Sequence, residues 1–158
     1  MGYIGVGIYT KKHKLKTRHL IIIGAAMGLC SCTSIGNPKV AVVAKSMVGE
    51  PFKPGKSKQC AYFAKEVLKK ANVPEVAKVN GSAQSFKKIG KPVTKPLLKN
   101  GDILLFTGTY NGPNPITHVG FYYDDHVIHR STSRRPQVLM EPFSGSRLEK
   151  HFYQARRL

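Results

Sequence analysis

The feature that most constrains the fold is a change of hydrophobic period near the middle of the chain. Between Cys60 and Ala71, apolar side chains recur every three or four residues and share one face of a helix, which Pro74 ends. Farther on, short apolar runs bounded by Gly, Pro, Asn and Asp predict strands, and Asp102 is expected to fix the turn into the first of them. These runs are residues 102–107, 118–123, 126–131 and 138–140. A helical half followed by an antiparallel strand half predicts an α+β domain.

Other segments flank these elements. Residues 40–48 are mostly apolar and end at Gly49, which predicts a short buried helix. The stretch from there to the cysteine is rich in Gly, Pro and Lys and predicts a loop. Residues 75–99 predict irregular structure with a helical turn near 82–88. The final RLEKHFYQARRL predicts a terminal strand or the edge of a helix, with its basic side chains facing outward.

The strand half predicts that two histidines lie side by side. Asp124 and Asp125 fit a two-residue hairpin turn, which sets the pairing of the two strands around them. In that register Gly120 lies opposite His129, and His118 is the diagonal neighbour of His129 on the same face. The glycine leaves a gap through which the two imidazoles reach each other.

Three roles are open to such a histidine pair. It can provide an acid–base centre, it can bind a metal, or it can be a structural pair with satisfied hydrogen bonds. Zinc requires further ligands, and none stands at a suitable spacing in this sequence, so we predict neither a metal site nor a cofactor. The catalytic and the structural roles both remain.

Cys60 is the candidate nucleophile. It lies at the predicted start of its helix, after a loop that contains Lys53, Lys56 and Lys58. A helix N-terminus and nearby cations both stabilise a thiolate, so this position predicts a lowered thiol pKa. A small, buried and unreactive cysteine is the structural alternative.

The charge of the chain points to a polyanionic partner. It has 26 Lys and Arg against 8 Asp and Glu, for a formal net charge of +18. Charge of this size favours nucleic acids or the anionic polymers and lipids of a cell envelope. No aromatic–basic recognition motif appears, and the N-terminus carries an export signal, so nucleic acid is not an expected partner.

That export signal is a basic block followed by an apolar run. Residues 11–19 are KKHKLKTRH, and residues 20–29 are uninterruptedly apolar. A membrane-spanning helix needs about 20 apolar residues, so this run fits the core of a signal peptide, with an uncleaved short anchor as the alternative. Residues 1–10 match no signal-peptide region and are consistent with translation from an upstream start codon.

The residues after the apolar run resemble a bacterial lipobox. Leu29 and Ser31 stand three and one residues before Cys32 in LCSCTS. The resemblance implies a signal peptide over residues 1–31, a lipidated Cys32 with a tether to residue 39, and a domain over residues 40–158. No aspartate follows the cysteine directly, which implies an outer-membrane lipoprotein facing the periplasm of a bacterial envelope.

Three blocks of the domain together resemble the NlpC-type family of papain-like cell-wall cysteine peptidases. They are SKQCAYFAKEVLKKANV, NGDILLF and ITHVGFYYDDHVIHRSTS, and HFYQARRL follows them. The resemblance extends from about residue 40 to the end. It implies a papain-like fold, with helices packed on an antiparallel sheet, and hydrolysis of amide bonds in peptidoglycan stem peptides or cross-links.

The family's catalytic roles transfer by motif to three residues. The resemblance implies that Cys60 is the nucleophile, His118 the base and His129 the residue that orients the base. The backbone amide of Cys60 is the expected oxyanion donor. Expected substrate contacts come from the surroundings of these residues: Phe52, Gln59, Tyr62, Arg130 and Ser131.

The chain also departs from the family pattern. Asp-Cys-Ser-Gly is replaced by Gln59-Cys60-Ala61-Tyr62, and a tyrosine of the preceding loop is replaced by Phe52. Two alternative functions follow. The Gln-Cys-Ala sequence resembles CHAP-type peptidoglycan amidases, and the altered neighbours are consistent with an envelope-binding lipoprotein that has weak or no turnover.

Overall fold

The computed structural model describes residues 1–2, 36–131 and 135–158. The chain divides into two units, Met1–Cys32 and Thr33–Leu158, and the fold described below belongs to the second. The predicted signal peptide, with its lipobox and Cys32, lies outside the described residues. In the parts of the chain that the structure describes, no helix is long and apolar enough to cross a membrane.

The second unit contains helices followed by strands. Its α-helices are α1 (Pro38–Ser46), α2 (Gln59–Lys70) and the short α3 (Arg147–Lys150). Three 3₁₀ turns lie at Pro74–Lys78, Ala83–Lys88 and Lys95–Leu97. The strands are β1 (Lys91–Val93), β2 (Ile103–Thr107), β3 (Ile116–Tyr123), β4 (His126–Arg130), β5 (Val138–Pro142) and β6 (Phe152–Arg157). They form an antiparallel sheet in the order β1-β6-β2-β3-β4-β5. The predicted α+β class is confirmed.

Helix α1 begins two residues earlier than predicted, at the end of the predicted tether. The Asn37 side chain accepts a hydrogen bond from the Val40 amide at 3.2 Å, and Pro38 occupies the first turn, where its missing N–H costs nothing. The helix buries Val40 and Ala44 completely. The cap thus fixes where the chain enters the domain.

Helix α2 packs its apolar face on β3 and β4, as the periodicity predicted. Ala64, Val67 and Leu68 are fully buried, and the Phe63 ring meets Phe121 of β3 edge-on at 5.9 Å. Burying a side chain of this kind contributes roughly 1.5–3 kcal/mol, so the helix is fixed firmly on the sheet. Its first turn, which carries Cys60, lies at the edge of the core and stays partly exposed.

The β3–β4 hairpin has the predicted register. Asp124 and Asp125 both have positive φ, at 45° and 56°, as a type I′ turn requires. Tyr123 pairs with His126, and Phe121 pairs with Ile128. The two-residue turn therefore aligns the histidines as the sequence predicted.

The C-terminal strand is an interior strand of the sheet, which the sequence did not predict. β6 lies between β1 and β2, and Arg157 donates to the fully buried Asp102 carboxylate at 2.8 Å and 2.6 Å. Asp102 also accepts from the Lys99 amide at 2.9 Å, which confirms its predicted role in the turn. One carboxylate thus holds both the turn before β2 and the end of β6.

Candidate active site

Cys60 lies in the first turn of α2, against the strand that carries His118. The residue before the helix, Lys58, has a left-handed φ of 53°, and no side chain caps this helix end. Backbone hydrogen bonds from Val119, Ala61 and Cys60 itself reach the sulfur. The uncapped amides at the start of α2 can therefore stabilise negative charge at or beside the thiol.

The predicted lowering of the thiol pKa is wrong for the free protein. Burial raises the pKa of the Cys60 thiol above its ordinary value and outweighs the backbone hydrogen bonds, which lower it. Lys53, Lys56 and Lys58 are all exposed, where solvent screens their charges. The cysteine is therefore a neutral thiol near neutral pH.

The two histidines of the hairpin form a hydrogen-bonded pair, as predicted. His118 Nε2 and His129 Nδ1 lie 2.8 Å apart, and the two rings are nearly perpendicular at 88°. His118 is 8% exposed and His129 is 2% exposed. A Cβ placed on Gly120 would approach the His129 Cβ to 3.0 Å, so the glycine provides the space that the second ring occupies.

The base candidate His118 is neutral in this environment. Burial, which is the largest cause, and the charges of His129 and Arg147 together lower its pKa to about 3. Its Nε2 is engaged with His129, so Nδ1 is the ring nitrogen that remains for proton exchange. A neutral imidazole in the same cleft as a neutral thiol can act as its general base.

A carboxylate that the sequence analysis missed extends this chain of contacts. Glu141 Oε2 lies 2.8 Å from His129 Nε2. His129 pairs with Leu139 across β4 and β5, so Glu141 is a diagonal neighbour of His129 on the same face of the sheet. The predicted strand ended at residue 140, whereas β5 continues to Pro142. One more strand residue would have revealed the contact.

A cleft of about 1140 Å³ connects these groups with solvent. Cys60, His118, His129 and Glu141 all line it. Its walls come mainly from three segments of the chain, within residues 56–59, 109–113 and 142–148. A volume of this size accommodates a peptide or a drug-sized ligand, so the thiol lies where a substrate can reach it.

Only some of the predicted substrate contacts have their side chains available in the cleft. Phe52 and Ser131 line the cleft. Gln59 also lines it, but its amide nitrogen donates to the carbonyls of Lys53 at 3.0 Å and Lys56 at 2.6 Å. Gln59 therefore braces the loop that leads to the nucleophile.

Arg130 and Tyr62 are directed elsewhere. The Arg130 side chain is fully buried, and its guanidinium faces Glu66 at 3.4 Å and Glu50 at 3.5 Å, although the residue borders the cleft. Tyr62 lies outside the cleft lining, with the Lys56 amine 5.6 Å from its ring. The structure gives Arg130 a role in joining β4 to α2, and a role in substrate binding stays a prediction for both residues.

Arg147 is a cleft residue that the sequence analysis did not identify. It lies on α3, donates to the Thr109 carbonyl at 3.1 Å, and is close enough to lower the pKa of His118. Nothing in the local pattern distinguished it from the other basic residues of the C-terminal segment. Only the course of the chain brings α3 to the cleft.

The described residues contain no group of three or more His, Cys, Asp or Glu side chains arranged to hold a metal ion. The facing nitrogens of the histidine pair are joined by a hydrogen bond. The arrangement thus fits a pair in which His129 orients the ring of His118.

Solved structures with the NlpC/P60 fold resemble this domain. An NlpC/P60 family protein from Bacillus cereus matches with a TM-score of 0.61 and 21% identity, over 77% of this chain and 39% of that protein. A Staphylococcus aureus protein, described as similar to a lipoprotein of the NLP/P60 family, matches with a TM-score of 0.59 and 21% identity, over 77% of this chain and 40% of its own. NlpC1 from Trichomonas vaginalis matches with a TM-score of 0.59 and 19% identity, over 77% of this chain and 44% of its own.

The predicted papain-like, NlpC-type fold is confirmed by these likenesses. The chain spans less than half the length of the proteins it resembles. No protein-family model matches the sequence, and no curated protein matches it at a significant level.

Proposed function

We propose that this protein is a cysteine endopeptidase that hydrolyses amide bonds in peptidoglycan stem peptides or cross-links. Cys60 is the nucleophile, His118 the general base and His129 the residue that orients the base. The observation that carries the proposal is the 2.8 Å hydrogen bond between the two buried histidines, beneath a cleft that also contains the thiol. The NlpC-type fold of the domain supports the same chemistry.

The neutral resting state defines the first step of the reaction. As the Cys60 sulfur attacks the substrate carbonyl, its proton passes to Nδ1 of His118, and the resulting imidazolium is held by His129 through Nε2. The backbone amide of Cys60, in the uncapped first turn of α2, stabilises the oxyanion. The leaving amine then takes the proton from His118. Water attacks the thioester with His118 again as base, which releases the acid and restores the thiol.

The charge of the cleft supports an anionic peptide as substrate. Lys56, Lys58 and Arg147 line it, with Glu141 as the acidic residue of the lining. Arg147 is the strongest candidate to bind a substrate carboxylate, because a guanidinium can make two parallel hydrogen bonds to one. Stem peptides of peptidoglycan carry such carboxylates near their amide bonds. Phe52 and Ser131 then supply apolar and polar contacts on the same cleft.

The N-terminal segment supports a location in a bacterial envelope. The basic block, the short apolar run and the lipobox-like LCSC predict a lipid anchor on Cys32. With no aspartate directly after that cysteine, we place the mature protein on the outer membrane, facing the periplasm. Its partners are then a membrane, through the lipid, and peptidoglycan, through the cleft.

Mass spectrometry of muropeptides tests the proposed activity. The detergent-solubilised full-length protein is incubated with purified peptidoglycan of several chemistries, beside Cys60→Ala as a matched control. New peptide fragments formed by the wild type alone are expected, and their masses identify the bond. Cleavage between sugar and peptide would instead identify a CHAP-type amidase.

A peptidoglycan-binding lipoprotein without turnover is the second candidate function. The raised pKa of the Cys60 thiol and the replacement of its family neighbours by Gln59 and Tyr62 favour it. Sedimentation of the protein with insoluble peptidoglycan, with no fragments released from any wall chemistry, would decide for this function and against the peptidase.

A further inference from the structure

A continuous line of hydrogen bonds joins Glu141 to the base. His118 Nε2 lies 2.8 Å from His129 Nδ1, and His129 Nε2 lies 2.8 Å from Glu141 Oε2. His129 is 2% exposed, whereas the Glu141 side chain is 30% exposed. The carboxylate is thus more exposed than the buried ring pair, and it lines the same cleft.

We propose that Glu141 is a positioning residue that selects the tautomers of both histidines; this inference rests on the proposed peptidase function. An ionised carboxylate only accepts hydrogen bonds, so it requires the proton of neutral His129 to be on Nε2. His129 Nδ1 then carries a lone pair and accepts Nε2–H from His118. His118 Nδ1 is left with its lone pair free to take the thiol proton of Cys60.

The opposite tautomers would disable the base. If His129 carried its proton on Nδ1, it would donate to His118 Nε2, and the proton of neutral His118 would have to be on Nδ1. That nitrogen could not accept the proton of Cys60. The choice between a basic and a non-basic Nδ1 on His118 is therefore made two hydrogen bonds away, at Glu141.

The carboxylate also stabilises the charge that develops during attack. When the thiol proton reaches His118 Nδ1, the ring becomes an imidazolium and keeps donating through Nε2 to His129. His129 transmits that polarisation to Glu141, which remains ionised and takes no proton. Glu141 thereby favours the charged state of the buried pair without touching the substrate carbonyl.

Glu141→Gln is the decisive variant because it preserves shape and removes the acceptor-only character. An amide can either accept from or donate to His129 Nε2, so it permits both tautomer chains. Glu75→Gln is the matched control, since it makes the same chemical change on a 3₁₀ turn outside the cleft lining. Both variants are made in the full-length chain, and their circular dichroism spectra check the fold.

The first measurement is the ¹⁵N chemical shift of the histidine rings in long-range ¹H–¹⁵N spectra at neutral pH. In the wild type and in Glu75→Gln, we expect pyrrole-type Nε2 and pyridine-type Nδ1 on both His118 and His129. In Glu141→Gln we expect averaged or reversed shifts on the pair. Unchanged shifts in a folded Glu141→Gln protein would overturn the inference.

The second measurement is steady-state kinetics on the muropeptide that the wild type cleaves. Glu141→Gln should lower kcat by about 10- to 100-fold, as loss of a histidine-orienting partner does elsewhere, and leave KM within about twofold. A rise in KM at unchanged kcat would identify a substrate contact and refute the positioning role. Because the ring shifts are read without substrate, a wild type that cleaves nothing would refute the peptidase and leave the tautomer test intact.

Discussion

Gly120→Ala should separate the histidine pair while leaving both histidines in the chain. Gly120 does not have a positive φ, so its backbone accepts any residue and only space is limiting. A Cβ there would lie 2.9 Å from the Ile128 carbonyl oxygen, 3.0 Å from the His129 Cβ and 2.8 Å from a Val127 methyl group. Neither the carbonyl nor the His129 Cβ is the flexible end of a side chain, so the strands must move apart.

The size of the displacement follows from these distances. Ordinary carbon contacts begin at 3.4 Å, so the His129 Cβ must move by about 0.4 Å. A shift of that size along the hydrogen bond would bring the 2.8 Å contact with His118 to the long end of the normal range. We expect kcat to fall about 10-fold or more, since errors of about 1 Å in a catalytic geometry cost about 100-fold. The free energy of unfolding should fall by about 1–3 kcal/mol, as overpacking does in other cores.

The assay combines urea unfolding with kcat on the muropeptide substrate. Ile103→Val is the control, because it costs about 0.5–1.5 kcal/mol in the core and Ile103 does not line the cleft. It should lower stability and leave kcat unchanged. If Gly120→Ala kept full kcat, or if both variants lost activity in proportion to stability, the argument that Gly120 sets the histidine geometry would fail.

Three further predictions concern charge. The pKa of His118 is about 3 in the folded protein and about 6.5 in the unfolded chain, so its contribution to stability is complete above pH 6.5. The free energy of unfolding should then fall by about 1.4 kcal/mol per pH unit toward pH 3. Urea unfolding of His118→Gln should lack this pH-dependent contribution. Arg147→Gln should raise KM about 10-fold for a carboxylate substrate but not for its amidated form, and should raise the pKa of His118 in an NMR titration. Asp102→Asn should cost about 3 kcal/mol in urea unfolding by breaking the buried pair with Arg157. Glu149→Gln, which breaks a more exposed pair with Lys95, should cost clearly less, and equal losses would refute a special stabilising role of the buried Asp102 carboxylate.

Local patterns determined the parts of the site that are close in sequence. The period of residues 60–71 placed Cys60 at the start of a helix whose apolar face is buried. The two aspartates of the hairpin set a register over a few residues, and that register brought His118 beside His129. Such predictions succeed because a helix face and a two-residue turn depend on neighbours along the chain, not on distant packing.

Tertiary structure alone decided what those residues experience. The thiol pKa rises because α2 buries Cys60 against β3, an effect that outweighs the helix start that the sequence displays. Glu141 contacts His129 because β5 lies beside β4, and Arg147 affects His118 because α3 lies at the cleft. β6 is an interior strand of the sheet, where Arg157 pairs with Asp102. Burial and long-range contacts depend on which elements pack together, so no local period encodes them. The sequence by itself determined which groups carry the chemistry, and the fold determined their protonation and their partners.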